Sequence, residues 1–190
     1  MKITLYFGSF NPVHTGHMII ANHLINATDT DQVWMVISPQ SPFKKKDNLA
    51  DSYDRLHFME LAIGTNEAIK SCNIEFELPV PSYTIDTLTY LKERYPENDF
   101  SIVMGSDNVG SFNRWKNYEM ILEHYFVYIY QRPGSESDLY KDHPSVHYLD
   151  GPLLDISSSF IRKLIREGKS IRYLVSENVF DYLEESNMYK

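Results

Sequence analysis

Cysteine is all but missing from this chain. Cys72 is the only one among 190 residues, so no internal disulfide can form and the lone thiol points to a reducing compartment. Long apolar runs are missing too: no stretch is long enough to span a bilayer, and the amino terminus enters a strand-like segment directly instead of a charged and apolar signal segment. The cytoplasm is the expected location, with no membrane partner. Positive charge is in short supply. The 18 Lys and Arg residues against 26 Asp and Glu leave a formal net charge of −8, which argues against a protein that grips a long nucleic acid, because such binding rests on neutralising many phosphates. The basic residues are instead local: Lys44, Lys45 and Lys46 form one cluster, and Arg162, Lys163 and Arg166 another. On an acidic protein such clusters suit a small polyanion such as a nucleotide, although most of the six also fit ordinary solvated surface charge. Linker-like, repeated and low-complexity segments are absent as well. One domain over residues 1–190 is therefore expected, closed by a helical element at about 157–186.

What the chain does have is a ten-residue segment, GSFNPVHTGH, Gly8 to His17, set between an apolar run (Ile3 to Phe7) and a helical pattern with Ile20, Ala21, Leu24 and Ile25 on one face. The order is strand, tight loop, helix. Gly8 lets the backbone approach a ligand, Asn11-Pro12 marks a turn, and Thr15 is the expected N-cap. A helix start offers unpaired N–H donors and a partial positive charge, so an anion can sit there. His14 and His17, three positions apart, fall on one side of its first turn. Alone, such a pair also fits surface histidines or a helix cap. Zinc ligation is disfavoured because no Cys or carboxylate stands nearby at ligand spacing.

The pattern then repeats. Val33 to Ser38 reads as a buried strand, Pro39 to Asp51 as a loop, and Leu56, Met59 and Ile63 as a helix face. Asn73 to Glu77 alternates like a strand, Leu88, Leu91 and Tyr95 mark a helix, and Phe100 to Met104 is a strand ending in Gly105. Tyr118 to His124 is helical, Phe126 to Tyr130 a strand, and Val146 to Leu149 a weaker one. Strands alternating with helices imply an α/β fold: a Rossmann-like, doubly wound, mostly parallel sheet with helices on both faces and ligands beyond the strands' carboxyl ends.

Further motifs fall at those ends. DISSSFIR, Asp155 to Arg162, precedes an apolar stripe of Ile161, Leu164 and Ile165 and ends at Gly168. Its serines cap a helix and Arg162 places a planar charged fork one turn inward. A serine-capped helix with an exposed arginine is common, so a phosphate site there stays open on these residues alone. PSYTIDTL, Pro81 to Leu88, reads as a helix cap. In GSDN, Gly105 permits close approach and Asp107 can accept from sugar hydroxyls or a base amine, while Trp115 offers either a flat ring surface or a packing role.

The string GSFNPVHTGH resembles that of the nicotinate mononucleotide adenylyltransferases of the (T/H)xGH nucleotidyltransferase superfamily, and DISSSFIR is similar to their ISSTxIR element. The likeness covers nearly the whole chain. It implies adenylyl transfer from ATP to nicotinate mononucleotide, giving nicotinate adenine dinucleotide and pyrophosphate in NAD biosynthesis. His14, His17, Lys44 and Arg162 would then be catalytic. ATP would meet Gly8, Ser9, Phe10, His14, His17, Gly105, Asp107, Ile156, Ser157, Ser158 and Arg162. The mononucleotide would meet Asn11, Lys44, Ser82, Tyr83, Thr84 and Trp115, with Trp115 stacking on the ring. Arg114 and Lys116 flank that tryptophan and are expected to point away from its ligand face, leaving backbone N–H groups to read the carboxylate. Mg²⁺ would arrive with ATP, held mainly by phosphate oxygens and water, so no protein metal ligand is assigned. The sequence departs from the family at Phe43, where a histidine usually stands, at Ser159 for threonine and at Ser176 for a frequent proline. Nicotinamide mononucleotide or pantetheine phosphate as acceptor, and a non-catalytic nucleotide sensor, are the alternatives. A homo-oligomer is compatible with the sequence.

Overall fold

A computed structural model of the chain describes residues 1–40, 49–135, 137–152 and 154–190; Lys44, with Phe43, Lys45 and Lys46, lies outside them. Among the described residues the strands are β1 (Lys2–Gly8), β2 (Gln32–Ile37), β3 (Ile69–Cys72), β4 (Asp99–Gly105), β5 (Phe126–Tyr130) and β6 (Val146–Leu149). They form one sheet in the order β3-β2-β1-β4-β5-β6, every neighbouring pair parallel. The helices are α1 (Thr15–Ala27), α2 (Ser52–Ile63), α3 (Thr84–Arg94), α4 (Ser106–Val109), α5 (Tyr118–His124), α6 (Ser158–Arg166) and α7 (Glu177–Glu185).

A parallel sheet covered on both faces needs apolar residues at successive strand positions, and β1 supplies them: Ile3, Thr4, Leu5 and Tyr6 are all buried. Because side chains alternate along a strand, Ile3 and Leu5 join one core and Tyr6 the other. The Tyr6 side packs Val33, Met35 and Val103 against Leu24 of α1, Phe58 of α2, Ile161 of α6 and Val179 of α7. The Leu5 side packs Val36, Ile102 and Val127 against Leu88 of α3 and Ile121 of α5. Leu5 has no exposed surface, so its truncation to Ala would cost about 2–5 kcal/mol.

From β1 the chain builds outward to β2 and β3, then returns to β4 on the opposite side of β1 and continues to β5 and β6. The reversal opens a crevice beyond the carboxyl ends of β1 and β4, at Gly8 and Gly105, where ligands of such sheets bind.

Two expectations fail locally. The segment 73–77 is no strand: β3 ends at Cys72, paired with Val36, and Ile74–Glu77 forms a 3₁₀ turn. The alternation places the glutamates in water, but Glu75 is only 2% exposed, because the turn brings its carboxylate to the hydroxyls of Ser82 and Thr87. Thr15 is not the N-cap of α1. It is the first helical residue, and His14 caps the helix in an extended conformation. The Thr15 N–H and hydroxyl donate instead to the carbonyls of Leu174 (2.9 Å) and Tyr173 (3.2 Å), docking α1 on the 171–175 segment.

Candidate active site

Every described candidate residue lines one cavity of about 510 Å³ at the crevice, a size suited to a small ligand. Gly8, Ser9, Phe10, Asn11, His14 and His17 come from the β1 end and α1 start. Gly105 and Asp107 come from the β4 end, Ser82, Tyr83 and Thr84 from the α3 start, and Ile156, Ser157, Ser158 and Arg162 from the α6 start, with Trp115 on the loop before α5.

The two histidines are stacked, ring centroids 3.6 Å apart and planes at 26°. The His14 N–H donates to His17 Nδ1 at 3.2 Å, so this residue does the work a glutamate does in a capping box. An Nδ1 that accepts carries no proton; in this arrangement His17 keeps its proton on Nε2 and presents a donor there. Phe10 holds the His17 ring edge-on at 4.9 Å. His14 is 4% exposed, and burial together with the positive charge of Arg132 lowers its pKa to about 4. At neutral pH it acts by hydrogen bonding and not as a cation.

The start of α6 is tied to the same loop. Ser157 accepts from the Phe160 N–H at 3.2 Å as N-cap, and Ser158 Oγ donates to the Pro12 carbonyl at 2.9 Å. Arg162 Nη1 donates to the Asn11 carbonyl at 2.7 Å and Nη2 to Ser159 Oγ at 3.3 Å, which leaves Nε buried without a partner among the described residues. A buried donor left unpaired costs about 1–3 kcal/mol. An anion reaching Nε would recover it.

Other glycine and loop positions depart from the sequence reading. At Gly8 a Cβ would lie 2.8 Å from the Phe10 ring, and at Gly105 it would overlap Asp107 Oδ1 and meet Arg132 Nε at 3.0 Å. Both glycines make room for neighbouring side chains first. Asp107 is engaged by Arg132 at 3.4 Å and by Asn108 Nδ2 at 3.3 Å. The Ser82 hydroxyl donates to Glu75 at 2.7 Å, which keeps its oxygen only as an acceptor. Beside Trp115, Lys116 does not point away: it lines the same cavity, 5.0 Å over the Tyr83 ring, with its ammonium on both oxygens of Asp86 at 2.8 and 2.9 Å. The short 3₁₀ turn Phe112–Arg114 ends at Trp115 and turns the chain there, so neighbouring side chains do not splay as on a helix.

Several residues of the site escape the sequence reading. Arg132 lies two residues beyond β5, and its charge opposes the burial that pushes the Tyr6 phenol up to about 12. Its position past a strand's carboxyl end is the signal that marks it. Glu75 carries a pKa raised by burial and is held by hydroxyls alone among the described side chains. Arg55, fully buried, donates to the carbonyls of Ser9 (2.7 Å), Ser38 (2.8 Å), Pro39 (3.3 Å) and Ala50 (3.0 Å). It therefore fixes the chain on both sides of residues 41–48. An arginine on an otherwise amphipathic helix gives no hint of this.

A family model described as cytidylyltransferase-like matches residues 5–164. The protein named "Probable nicotinate-nucleotide adenylyltransferase" of Flavobacterium johnsoniae is 48% identical over 192 residues, covering 100% of both chains. The one of that name from Cytophaga hutchinsonii is 47% identical over 189 residues, covering 100% of this chain and 98% of the other. Among solved structures, nicotinic acid mononucleotide adenylyltransferase of Plasmodium falciparum complexed with NaAD superposes with a TM-score of 0.85 at 23% identity, covering 99% of this chain and 97% of that one. At that identity the likeness is one of fold.

Proposed function

The chain belongs to the cytidylyltransferase-like family and, within it, to the nicotinate-nucleotide adenylyltransferases, and from this we propose that it transfers the adenylyl group of ATP to nicotinate mononucleotide. The 5′-phosphate of the mononucleotide attacks the α-phosphorus, the bond to the β-phosphate oxygen breaks, and nicotinate adenine dinucleotide and pyrophosphate leave, a step of NAD biosynthesis. The nucleophile arrives ionised, so no base and no covalent enzyme intermediate is needed. What remains for the protein is to align two anions and to stabilise charge at the reacting phosphorus.

The observation that carries this reading is the convergence of two helix starts, α1 and α6, on one cavity at the sheet's reversal. His17 offers Nε2–H to the developing charge, His14 supports it as a neutral partner, and Arg162 adds its unpaired Nε and a permanent charge. Lys44, outside the described residues, would bring a further cation from the segment whose two flanks Arg55 holds. Among the described residues no group of three or more His, Cys, Asp or Glu side chains stands together. Mg²⁺ arriving with ATP would be held by phosphate oxygens and water and would neutralise triphosphate charge.

Trp115 supplies the ring surface for the mononucleotide, beside the α3 start. Its carboxylate would be read by N–H donors there, a pairing that the carboxamide's NH₂ cannot match. Lys116, which lines the same cavity, is already engaged by Asp86. A mismatch of this kind in a desolvated pocket is worth on the order of a hundredfold in kcat/KM. The test is pyrophosphate release with ATP, Mg²⁺ and, in separate reactions, nicotinate mononucleotide, nicotinamide mononucleotide or phosphopantetheine. The acid should be preferred by about a hundredfold or more. Equal rates with acid and amide would overturn the specificity, and release with phosphopantetheine alone would overturn the acceptor.

A further inference from the structure

Tyr189 sits far from the phosphate loop in sequence yet its hydroxyl donates to Asn11 Oδ1 at 2.6 Å. The same oxygen accepts the Ala50 N–H at 3.1 Å. Since a backbone N–H only donates, the atom facing Ala50 must be the side-chain oxygen, and the orientation of the Asn11 amide is thereby fixed. Asn11 is 5% exposed, lines the cavity, and through its own carbonyl receives Arg162 Nη1 at 2.7 Å. One hydroxyl thus stands behind a residue that holds the site's arginine on one side and the chain next to residues 41–48 on the other.

Two independent features agree. Tyr189 has φ of 65°, a left-handed conformation that is costly for a bulky side chain and persists only where surrounding contacts hold it. Its ring packs on the core beside Phe58, centroids 6.5 Å apart. Burial raises the phenol pKa, outweighing the pull of Arg162 and Arg55 in the other direction. The hydroxyl therefore remains a donor throughout the working pH range.

We propose that Tyr189 is a positioning residue of the adenylyl-transfer site, acting through Asn11 to set Arg162. The role in turnover rests on the function proposed above; the role in holding ATP does not depend on the acceptor. Replacing Tyr189 with Phe keeps the ring and removes only the hydroxyl, so the fold is retained.

The test is a double-mutant cycle of Tyr189→Phe and Asn11→Ala, read by calorimetric binding of Mg·ATP and by pyrophosphate release with nicotinate mononucleotide. Tyr189→Phe should weaken Mg·ATP binding and lower kcat by about fivefold to tenfold each, the scale of one hydrogen bond to an ordered partner. In the Asn11→Ala background the same change should have almost no effect, because the hydroxyl no longer has anything to hold. Equal effects in both backgrounds would mean that the Tyr189 hydroxyl does not act through Asn11 and would overturn the proposal, as would wild-type binding and turnover in the single variant. If the wild-type protein bound Mg·ATP but released no pyrophosphate, the function reading would fail while the binding cycle still decided the role of Tyr189.

Discussion

Acidification should destabilise this protein through His14. The ring is 4% exposed and its pKa is lowered to about 4 from 6.5, first by burial and then by the charge of Arg132. As the pH falls below the unfolded value the unfolded chain takes up a proton on this ring, whereas the folded chain does so only near its own lower value. The stability contributed by the neutral ring is thus complete above the unfolded pKa and is lost as the pH falls through the folded one. Linkage with these two values gives a loss of about 2 kcal/mol between roughly pH 7 and pH 5. For a chain of this length that is a fall in Tm of about 4–8 °C. Glu75 has a raised pKa and opposes this, its contribution being present in acid and lost as the pH rises. A His14→Gln variant keeps Glu75 and removes only the titrating ring. Thermal unfolding followed by circular dichroism across this pH range should show wild type losing about 4–8 °C more than His14→Gln. Parallel curves for the two proteins would refute the buried, neutral His14.

His17→Ala removes a donor to developing charge and should lower kcat by about tenfold to a thousandfold while ATP affinity changes far less; near-normal turnover would dissociate His17 from the reacting phosphate. Arg162→Lys cannot both hold the Asn11 carbonyl and offer a second donor in a fixed plane, so kcat/KM for ATP at saturating Mg²⁺ should fall by about tenfold or more. Wild-type kinetics in that variant would argue against a fork-like contact. Trp115→Ala should raise KM for the mononucleotide by about tenfold, with KM for ATP little changed. An unchanged mononucleotide KM would remove the stacking role.

Much of the sheet was legible because a parallel strand buried on both faces is nearly continuous in apolar residues: Phe126–Tyr130 falls where the pattern puts it, and the edge strand Val146–Leu149, with only its end residues buried, gave the weaker signal. The edge strand β3 escaped because Lys70 and Ser71 interrupt its short apolar signal. The alternation at 73–77 misled because it assumes that a glutamate faces water, which Ser82 and Thr87 make unnecessary. Site residues carried on local motifs were found together, since helix starts and strand ends are written in neighbouring residues. Those reaching the site from afar were not. Arg55 reaches the Ser9 carbonyl 46 positions away and Tyr189 the Asn11 amide 178 positions away, and no local spacing encodes such a partner.

The most direct test of adenylyl transfer is to follow label from ATP in the presence of Mg²⁺ and nicotinate mononucleotide. Label at the α-phosphorus should appear in nicotinate adenine dinucleotide, and label at the γ-phosphorus in pyrophosphate, in equal amounts. Gamma label emerging as orthophosphate, alpha label staying with AMP, or no consumption of ATP would contradict it.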